Sequence, residues 1–335
     1  MKHCNLRTFE ASHALVFLRT TADTDGMLGR CLLPHEASGE CDRELGALDN
    51  VFRTLTTEPI SRAERVRIEH LPRSRRLLLQ TLVYVAGALS EGARRGADAV
   101  ASSFYSRGAF PALLWARVIT PQEFVEWGED YLQLQRAQIE LASCGRNLGH
   151  CEFLLSTPYQ AELDIESKLL SIGLYIKDYR APRVLLIAGD RRSLDQLVAV
   201  ARPRGLVALS PRTPVSACNA AHLPIVDPEP QRHFLRGIAV RAPARSLVAQ
   251  ADAIVVSKST SVEDVRAFIL RSAIGPMRTF DAVERLSSIA EEVIAVGSHK
   301  SIKALCTDPH LQPYPIRHLP IGDVCDANSL VSGKF

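Results

Sequence analysis

Short apolar runs alternate with longer stretches of helical periodicity along this chain, and the alternation limits the folds open to it. The run at residues 13–18, His-Ala-Leu-Val-Phe-Leu, is typical of a buried strand. The stretch at 75–96 instead repeats its apolar residues at helical spacing and stops at a glycine. Strand-like runs at 151–156 and 182–189 precede a helical stretch at 190–205. Strands that alternate with helices predict an α/β fold.

The composition excludes several classes of protein. Hydrophobic residues make up 46% of the chain and charged residues 23%, as in globular proteins. No run approaches the roughly 18 apolar residues of a membrane-spanning helix, so no membrane association is expected. A formal charge of +3 with 6% aromatic residues does not favour a nucleic-acid partner. The N-terminal segment lacks the pattern of a signal peptide, which predicts a cytoplasmic protein.

The cysteines are scattered along the chain, a pattern typical of reduced thiols rather than of a disulfide framework. Only Cys144 and Cys151 lie close together, with His150 between them. Their spacing matches no common zinc pattern and no second ligand pair follows. The sequence therefore predicts no metal site.

Ser106 lies in the stretch FYSRGAFPALL, between a predicted strand at 97–102 and a helical stretch that begins after Gly108. Two interpretations are open for this serine. A tight turn between a strand and a helix can project a nucleophilic hydroxyl, and N–H groups at the helix start can stabilise an oxyanion. A serine before a helix is also a common N-cap. The helical pattern then breaks at Thr120-Pro121, which predicts a second helix.

His222 is the second residue with candidate chemistry, 116 residues after Ser106 and before a turn that contains proline. A lone histidine in such a place is usually structural. The order of HALVFL, YSRGAFPALLWARVIT, RVLLIAG, AAHLPIVDP, AIGPM and VIAVGSHKSIKAL, however, resembles the malonyl-CoA:acyl carrier protein transacylase family, which includes the acyltransferases of polyketide synthases. The resemblance extends from about residue 13 to residue 306.

The resemblance implies an α/β fold of two parts. A large α/β-hydrolase-like acyltransferase domain would comprise residues 1–147 and 214–335. A small ferredoxin-like α/β subdomain would be inserted at 148–213. An ordinary α/β-hydrolase is a weaker interpretation, because its histidine would lie near the C-terminus after an acidic residue.

The family's GHSLG motif falls on residues 104–108, so the resemblance gives Ser106 the place of the nucleophile. Tyr105 replaces a histidine of that motif and would belong to the substrate pocket. His222 takes the place of the general base, which accepts the serine proton and returns a proton to the leaving or attacking group. A main-chain carbonyl at Gly275 would hold the other imidazole nitrogen in place of the family's Asn-Pro turn.

The oxyanion hole implied by the resemblance consists of two backbone N–H groups, those of Arg107 and Thr20. Thr20 stands where the family has a glutamine, because the GQGSQ loop of the family falls on RTTAD at 19–23. The two glycines of that loop are replaced by residues with a Cβ atom, which restricts how closely the loop can approach a bound carbonyl.

Two further departures concern the acyl group. The arginine that grips a malonyl carboxylate in family members falls on Tyr131, which cannot form a bidentate ion pair. The bulky residue that often precedes the histidine falls on Ala221. The first substitution predicts a substrate pocket for an acyl group other than malonyl. The second has two open interpretations: Ala221 leaves room in the pocket for a larger acyl group, or it simply packs there.

The leading hypothesis is an acyltransferase that moves a non-malonyl acyl group between thioesters of coenzyme A or acyl carrier protein, through an acyl-serine intermediate, in polyketide or fatty-acid-type biosynthesis. One alternative is an editing thioesterase, in which water attacks the same intermediate. Another is a catalytically inactive binding partner. The thioester is the substrate and no bound cofactor is implied. The expected partners are acyl-CoA and an acidic acyl carrier protein, and the sequence defines no oligomeric state.

Overall fold

Two β-sheets with helices packed on them form the described part of the chain. The computed structural model describes residues 12–18, 97–105, 108–143, 147–159, 164–201, 207–208, 213–214, 227–297 and 316–320, and positions 81, 84, 85, 88, 89, 91, 92 and 95. These last positions are helical, in agreement with the helix predicted at 75–96.

Strands and helices are interspersed along the described part of the chain. The strands are β1 His13–Phe17, β2 Ala101–Phe104, β3 Leu148–Leu154, β4 Leu174–Ala181, β5 Val184–Asp190, β6 Val207–Ala208, β7 Thr213–Pro214, β8 Ser246–Val248, β9 Val255–Val256, β10 Glu292–Gly297 and β11 Ile316–Pro320. The helices are α1 Ala109–Trp115, α2 Pro121–Ser143, α3 Ile165–Leu170, α4 Arg191–Ala201, α5 Glu229–Gly237, α6 Val262–Ile274 and α7 Thr279–Ser287.

The first sheet joins six of these strands in the order β11-β10-β1-β2-β8-β9. All neighbouring strands in it are parallel except β8 and β9. The central strand β1 is apolar along most of its length because both of its faces are buried. Leu15 and Phe17 belong to one core cluster, whereas Ala14 and Val16 belong to a second cluster on the opposite face.

Helices cover both faces of this sheet. Phe110 and Trp115 of α1 pack into the first core cluster. Phe280 and Val283 of α7 pack into the second. The described chain therefore has a helix–sheet–helix arrangement around β1, as expected of an α/β protein.

The break between α1 and α2 has a local cause. The backbone N–H and the hydroxyl of Thr120 both donate to the Glu123 carboxylate, and the Glu123 N–H donates back to the Thr120 hydroxyl. This is a capping box, and the proline that follows Thr120 suits the first position of a helix because it needs no N–H partner there. The predicted break at Thr120-Pro121 is confirmed.

The second sheet has the order β4-β5-β3-β6, and β7 also pairs with β3. All of these pairs are antiparallel. The order of elements along the chain, β3-α3-β4-β5-α4-β6, is the ferredoxin-like arrangement. The predicted fold class is confirmed. The domain boundaries at 147/148 and 213/214 stay a prediction.

Strand β3 alternates between two environments, because successive side chains of a strand point to opposite faces. Cys151 and Phe153 are buried in a third core cluster that includes Leu169 of α3 and Leu194 of α4. His150 and Glu152 point to the opposite face. Cys151 and His150 are thus turned away from each other. Among the described helices, none is long and apolar enough to cross a membrane.

Candidate active site

The connection between β2 and α1 is a tight one, which we call the serine turn (residues 105–108). Strand β2 ends at Phe104 and helix α1 begins at Ala109. The backbone N–H of Tyr105 donates to the carbonyl oxygen of Phe17 over 2.8 Å, and that of Gly108 donates to the carbonyl oxygen of Tyr105 over 3.0 Å. The strand and the helix are thus present on either side of Ser106, as the sequence predicts.

Gly108 is required by the close approach of β1 to the serine turn. A Cβ atom at this position would lie 2.0 Å from the carbonyl oxygen of Phe17 and 3.0 Å from that of Leu18. Both contacts are with backbone, which cannot rotate away as a side chain can. The start of α1 therefore packs directly against the end of β1. Leu18 lies two residues before Thr20, so the chain leaves β1 beside the serine turn.

Tyr131 lies in a cluster of aromatic rings on the α1 side of the serine turn. We call this the aromatic cluster, and its members are Phe110, Phe124, Trp127, Tyr131 and Phe234. The Tyr131 ring centroid is 5.8 Å from that of Phe110, near the start of the helix that follows the turn. Tyr131 is buried, with 9% of its surface exposed. At the position on which the family's malonyl-binding arginine is predicted to fall, this chain has a tyrosine ring that packs against other aromatic rings.

Gly275 ends α6 and begins a segment that crosses to the second sheet. Its N–H donates to the carbonyl oxygen of Arg271 over 2.8 Å. Two residues later, Met277 pairs with β4: its N–H donates to the Lys177 carbonyl, and its carbonyl accepts from the Tyr179 N–H, each over 2.8 Å. We call residues 275–279 the crossing segment. It is fixed to β4 by main-chain hydrogen bonds, which suits a segment whose Gly275 carbonyl is predicted to hold a catalytic group.

A second contact with β4 is made from the serine turn. Nη2 of Arg180 donates to the hydroxyl oxygen of Tyr105 over 3.0 Å. The guanidinium group also forms an ion pair with Glu152 and approaches the Asp178 carboxylate, with 3.5 Å between Nε and Oδ2. Asp178 in turn accepts a hydrogen bond from Oγ1 of Thr279 over 2.7 Å. These side chains connect the serine turn to the crossing segment.

Burial shifts two ionisable groups on this side of the turn toward their neutral forms. Asp178 is completely buried, which raises its pKa to about 7, although the Thr279 hydroxyl and Lys177 act in the opposite direction. Burial, together with the positive charges of Lys177 and Arg180, lowers the pKa of His150 to about 4. At neutral pH His150 is therefore an uncharged imidazole.

The predicted site residues divide into two groups. Tyr105, Tyr131 and Gly275 are described, and they lie beside the turn, in the aromatic cluster and at the end of α6. The remaining predicted residues lie outside the described part of the chain, and their roles stay predictions: Thr20, Ser106, Arg107, Ala221 and His222.

Sequence reasoning missed Arg180, Asp178 and Glu152. Tyr105 and Arg180 are 75 residues apart in the chain, so no local pattern connects them. The available signal was three charged residues within an otherwise apolar strand, Lys177, Asp178 and Arg180. Charges within a buried strand require partners, and the partners could have been sought on the first sheet.

Comparisons with known proteins agree with this architecture. No family model and no curated protein matches the chain. Solved structures do match over nearly their whole length. An acyl carrier protein S-malonyltransferase from Burkholderia pseudomallei is 19% identical with a TM-score of 0.64, over 95% of this chain and 99% of that one. One from Vibrio cholerae is 14% identical with a TM-score of 0.66, over 95% and 100%.

The chain has the fold of the acyl carrier protein S-malonyltransferases. The resemblance predicted from the sequence is confirmed for the fold. A third structure with the S-malonyltransferase fold, described as a malonyl-transacylase in complex with its type II polyketide synthase acyl-carrier protein, is 14% identical with a TM-score of 0.63, over 95% and 98% of the two chains. At these identities the likeness concerns the fold, so the chemistry must be argued from the site.

Proposed function

We propose that the protein is an acyltransferase that moves an acyl group between thioesters through an acyl-Ser106 intermediate. The observation that carries this proposal is the serine turn. A strand and a helix flank Ser106 with only three other residues between them, and Gly108 packs against the end of β1. Such a turn is suited to hold a serine exposed above the carboxyl ends of a parallel sheet.

The proposed reaction has two half-steps. Oγ of Ser106 attacks the thioester carbonyl while His222 takes its proton, the C–S bond breaks, and the thiol leaves with that proton. In the second half-step a phosphopantetheine thiol gives its proton to His222 and attacks the ester carbonyl; the bond between the acyl carbon and Oγ breaks, and His222 returns the proton to Oγ of Ser106. The N–H groups of Arg107 and Thr20 would stabilise the oxyanion in both half-steps. No bound cofactor takes part.

The proposed acyl group is neutral. Tyr131 is held in the aromatic cluster, where Phe110, Trp127 and Phe234 surround its ring. This surface offers a malonyl carboxylate no guanidinium partner at the Tyr131 position, and burying an unpaired carboxylate there is costly. Ala221, predicted to stand where family members often have a bulky residue, would leave room for an acyl group larger than malonyl. The donor and acceptor are proposed to be acyl-CoA and acyl carrier protein.

The proposal is tested by intact-mass spectrometry of the protein after incubation with malonyl-CoA, acetyl-CoA and a medium-chain acyl-CoA. We expect an acyl adduct from a neutral donor, little or none from malonyl-CoA, and none with any donor in Ser106→Ala. His222→Ala should form the same adduct much more slowly, by roughly a thousandfold or more, because it lacks the base.

Adding a phosphopantetheinylated carrier protein to the acylated enzyme distinguishes the alternatives. Transfer predicts that the carrier gains the mass of the acyl group. Release of free acid without labelling of the carrier would replace the transferase by a thioesterase. A folded protein that forms no adduct and turns over no donor would overturn the proposal in favour of a binding partner; the N-cap interpretation of Ser106 is wrong in either case, because Gly108 is the N-cap of α1.

A further inference from the structure

Arg180 stands at an irregularity of β4 that turns its side chain toward the first sheet. The pairing of β4 with β5 shifts register twice, between Ile176 and Asp178 and between Tyr179 and Ala181. Each shift leaves one extra residue on β4, and Arg180 is the second of them. Bulges of this kind redirect a side chain that regular alternation would place elsewhere. Here the redirected side chain reaches the serine turn.

On the serine side, Arg180 holds the residue immediately before Ser106. Its Nη2 donates to the Tyr105 hydroxyl over 3.0 Å. The backbone N–H of Tyr105 is bonded to Phe17 of β1 at the same time. Tyr105 is thereby fixed at both ends, by the first sheet through its backbone and by the second sheet through its side chain.

On the other side, Asp178 holds the crossing segment. Its carboxylate accepts from the Thr279 hydroxyl over 2.7 Å and lies 3.4 Å from the Thr279 N–H at the start of α7. Met277 is bonded to the backbone on either side of Asp178. Gly275, whose carbonyl is proposed to orient His222, is two residues before Met277. From one strand, Arg180 thus contacts the residue before Ser106, and Asp178 contacts the segment whose Gly275 carbonyl is proposed to orient His222.

The chemistry of this connection favours arginine. The guanidinium group faces Tyr105, Glu152 and Asp178 together, and a planar fork of donors can do this where a lysine ammonium group cannot. Only 13% of the Arg180 side chain is exposed, so water does not screen these contacts as it would at the surface. Removing the guanidinium would take an ion-pair partner from Glu152 and from the completely buried Asp178.

We propose that Arg180 is the positioning residue that sets the serine turn at its working distance from the crossing segment. The effect on catalysis rests on the proposed function, since Arg180 acts through Tyr105 and Asp178 rather than on the substrate. The positioning of the serine turn relative to the crossing segment does not depend on which acyl group is used.

Two readouts test this proposal in Arg180→Met. The rate of Ser106 acylation should fall by about 10- to 100-fold, as expected when reacting groups are misplaced, while KM for the acyl donor stays close to the wild-type value. Amide hydrogen exchange should accelerate in peptides that cover 104–110 and 275–281 together. Arg180→Lys should give an intermediate rate. Tyr105→Phe should slow acylation, and the double variant Tyr105→Phe/Arg180→Met should be no slower than Arg180→Met alone.

Arg183→Met is the matched control. Arg183 lies in the turn after β4 and donates to the carbonyl oxygen of Leu155 over 2.9 Å, a contact within the second sheet and its loops. We expect it to change neither the acylation rate nor exchange in the two segments. Unchanged exchange in both segments of Arg180→Met would overturn the proposal even if the wild type acylates. If the wild type forms no adduct, the proposed function fails, and hydrogen exchange still decides the positioning role.

Discussion

The two sides of the serine turn are built from opposite chemistry. On the α1 side, Phe110 and Tyr131 belong to the aromatic cluster, with ring centroids 5.0 to 6.1 Å apart. On the β4 side, Arg180 is surrounded by the hydroxyl of Tyr105 and by two carboxylates. Packed aromatic rings form the α1 side, whereas directional ion pairs and hydrogen bonds form the β4 side.

This difference separates two tasks that a transferase site must perform. Burial of aromatic rings is favourable without depending on one exact geometry, and such surfaces tolerate repacking around different apolar groups. Hydrogen-bonded ion pairs are directional, and losing one partner leaves a buried group unsatisfied. The ring side is therefore suited to accommodate an acyl group, and the ionic side to hold the reacting groups in register. Substitutions on the two sides should fail in different ways.

The largest loss of stability is expected when Gly108, which packs the serine turn against β1, is replaced. In Gly108→Ala the new Cβ would lie 2.0 Å from the carbonyl oxygen of Phe17. Because backbone atoms would have to move, we expect the free energy of unfolding to fall by about 4 kcal/mol or more, together with loss of acylation. Urea denaturation measures the first effect. Gly237→Ala at the end of α5 is the control, since nothing lies within 4 Å of its Cβ. Equal denaturation midpoints for the two variants would contradict the prediction.

A smaller loss of stability is expected from a substitution that affects the aromatic cluster alone. Tyr131→Arg places a cation among Phe110, Trp127 and Phe234, and we expect it to lower the free energy of unfolding by about 2 to 3 kcal/mol. Tyr131→Phe, which keeps the ring, is the matched variant and should lose no more than about 1 kcal/mol. Thermal unfolding compares the two. If Tyr131→Arg were as stable as Tyr131→Phe, the position could hold a guanidinium group, and the argument against malonyl would be lost.

Local parts of the fold could be predicted from the sequence, whereas the ionic side of the site could not, for physical reasons. Strand β1 is buried on both faces, so its apolar run is visible without any knowledge of partners. The capping box at Thr120 is local, and the break before Pro121 follows from four consecutive residues. The ferredoxin-like order could be proposed through the resemblance, because strands and helices alternate regularly there.

The boundaries and the long-range contacts were harder. The run at 97–102 predicted a strand, but β2 occupies Ala101–Phe104, because small residues such as Ala97 and Ala99 do not mark where a strand begins. No strand or helix with its own bounds is predicted within 157–181, which contains both α3 and the whole of β4. The contact of Arg180 with Tyr105 depends on two bulges and on the packing of two sheets. A single sequence carries no record of either.

The smallest expected effect is a change in the pH dependence of stability, caused by His150 on the β4 side of the serine turn. Its folded-state pKa is lowered from 6.5 to about 4, so below pH 6.5 the unfolded chain binds more protons than the folded one. The stability that the neutral imidazole contributes is present above pH 6.5 and is lost as the pH falls toward 4, with a slope of at most about 1.4 kcal/mol per pH unit.

Asp178, whose pKa is raised to about 7, contributes a slope of opposite sign, so the wild-type curve alone is ambiguous. The difference between the wild type and His150→Gln isolates the histidine. We expect denaturation midpoints measured from pH 4 to 7 to decline less steeply with falling pH in His150→Gln than in the wild type. Parallel curves for the wild type and His150→Gln would show that this face of β3 is open to water, and the contrast between the two sides of the serine turn would then reduce to the contacts of Arg180.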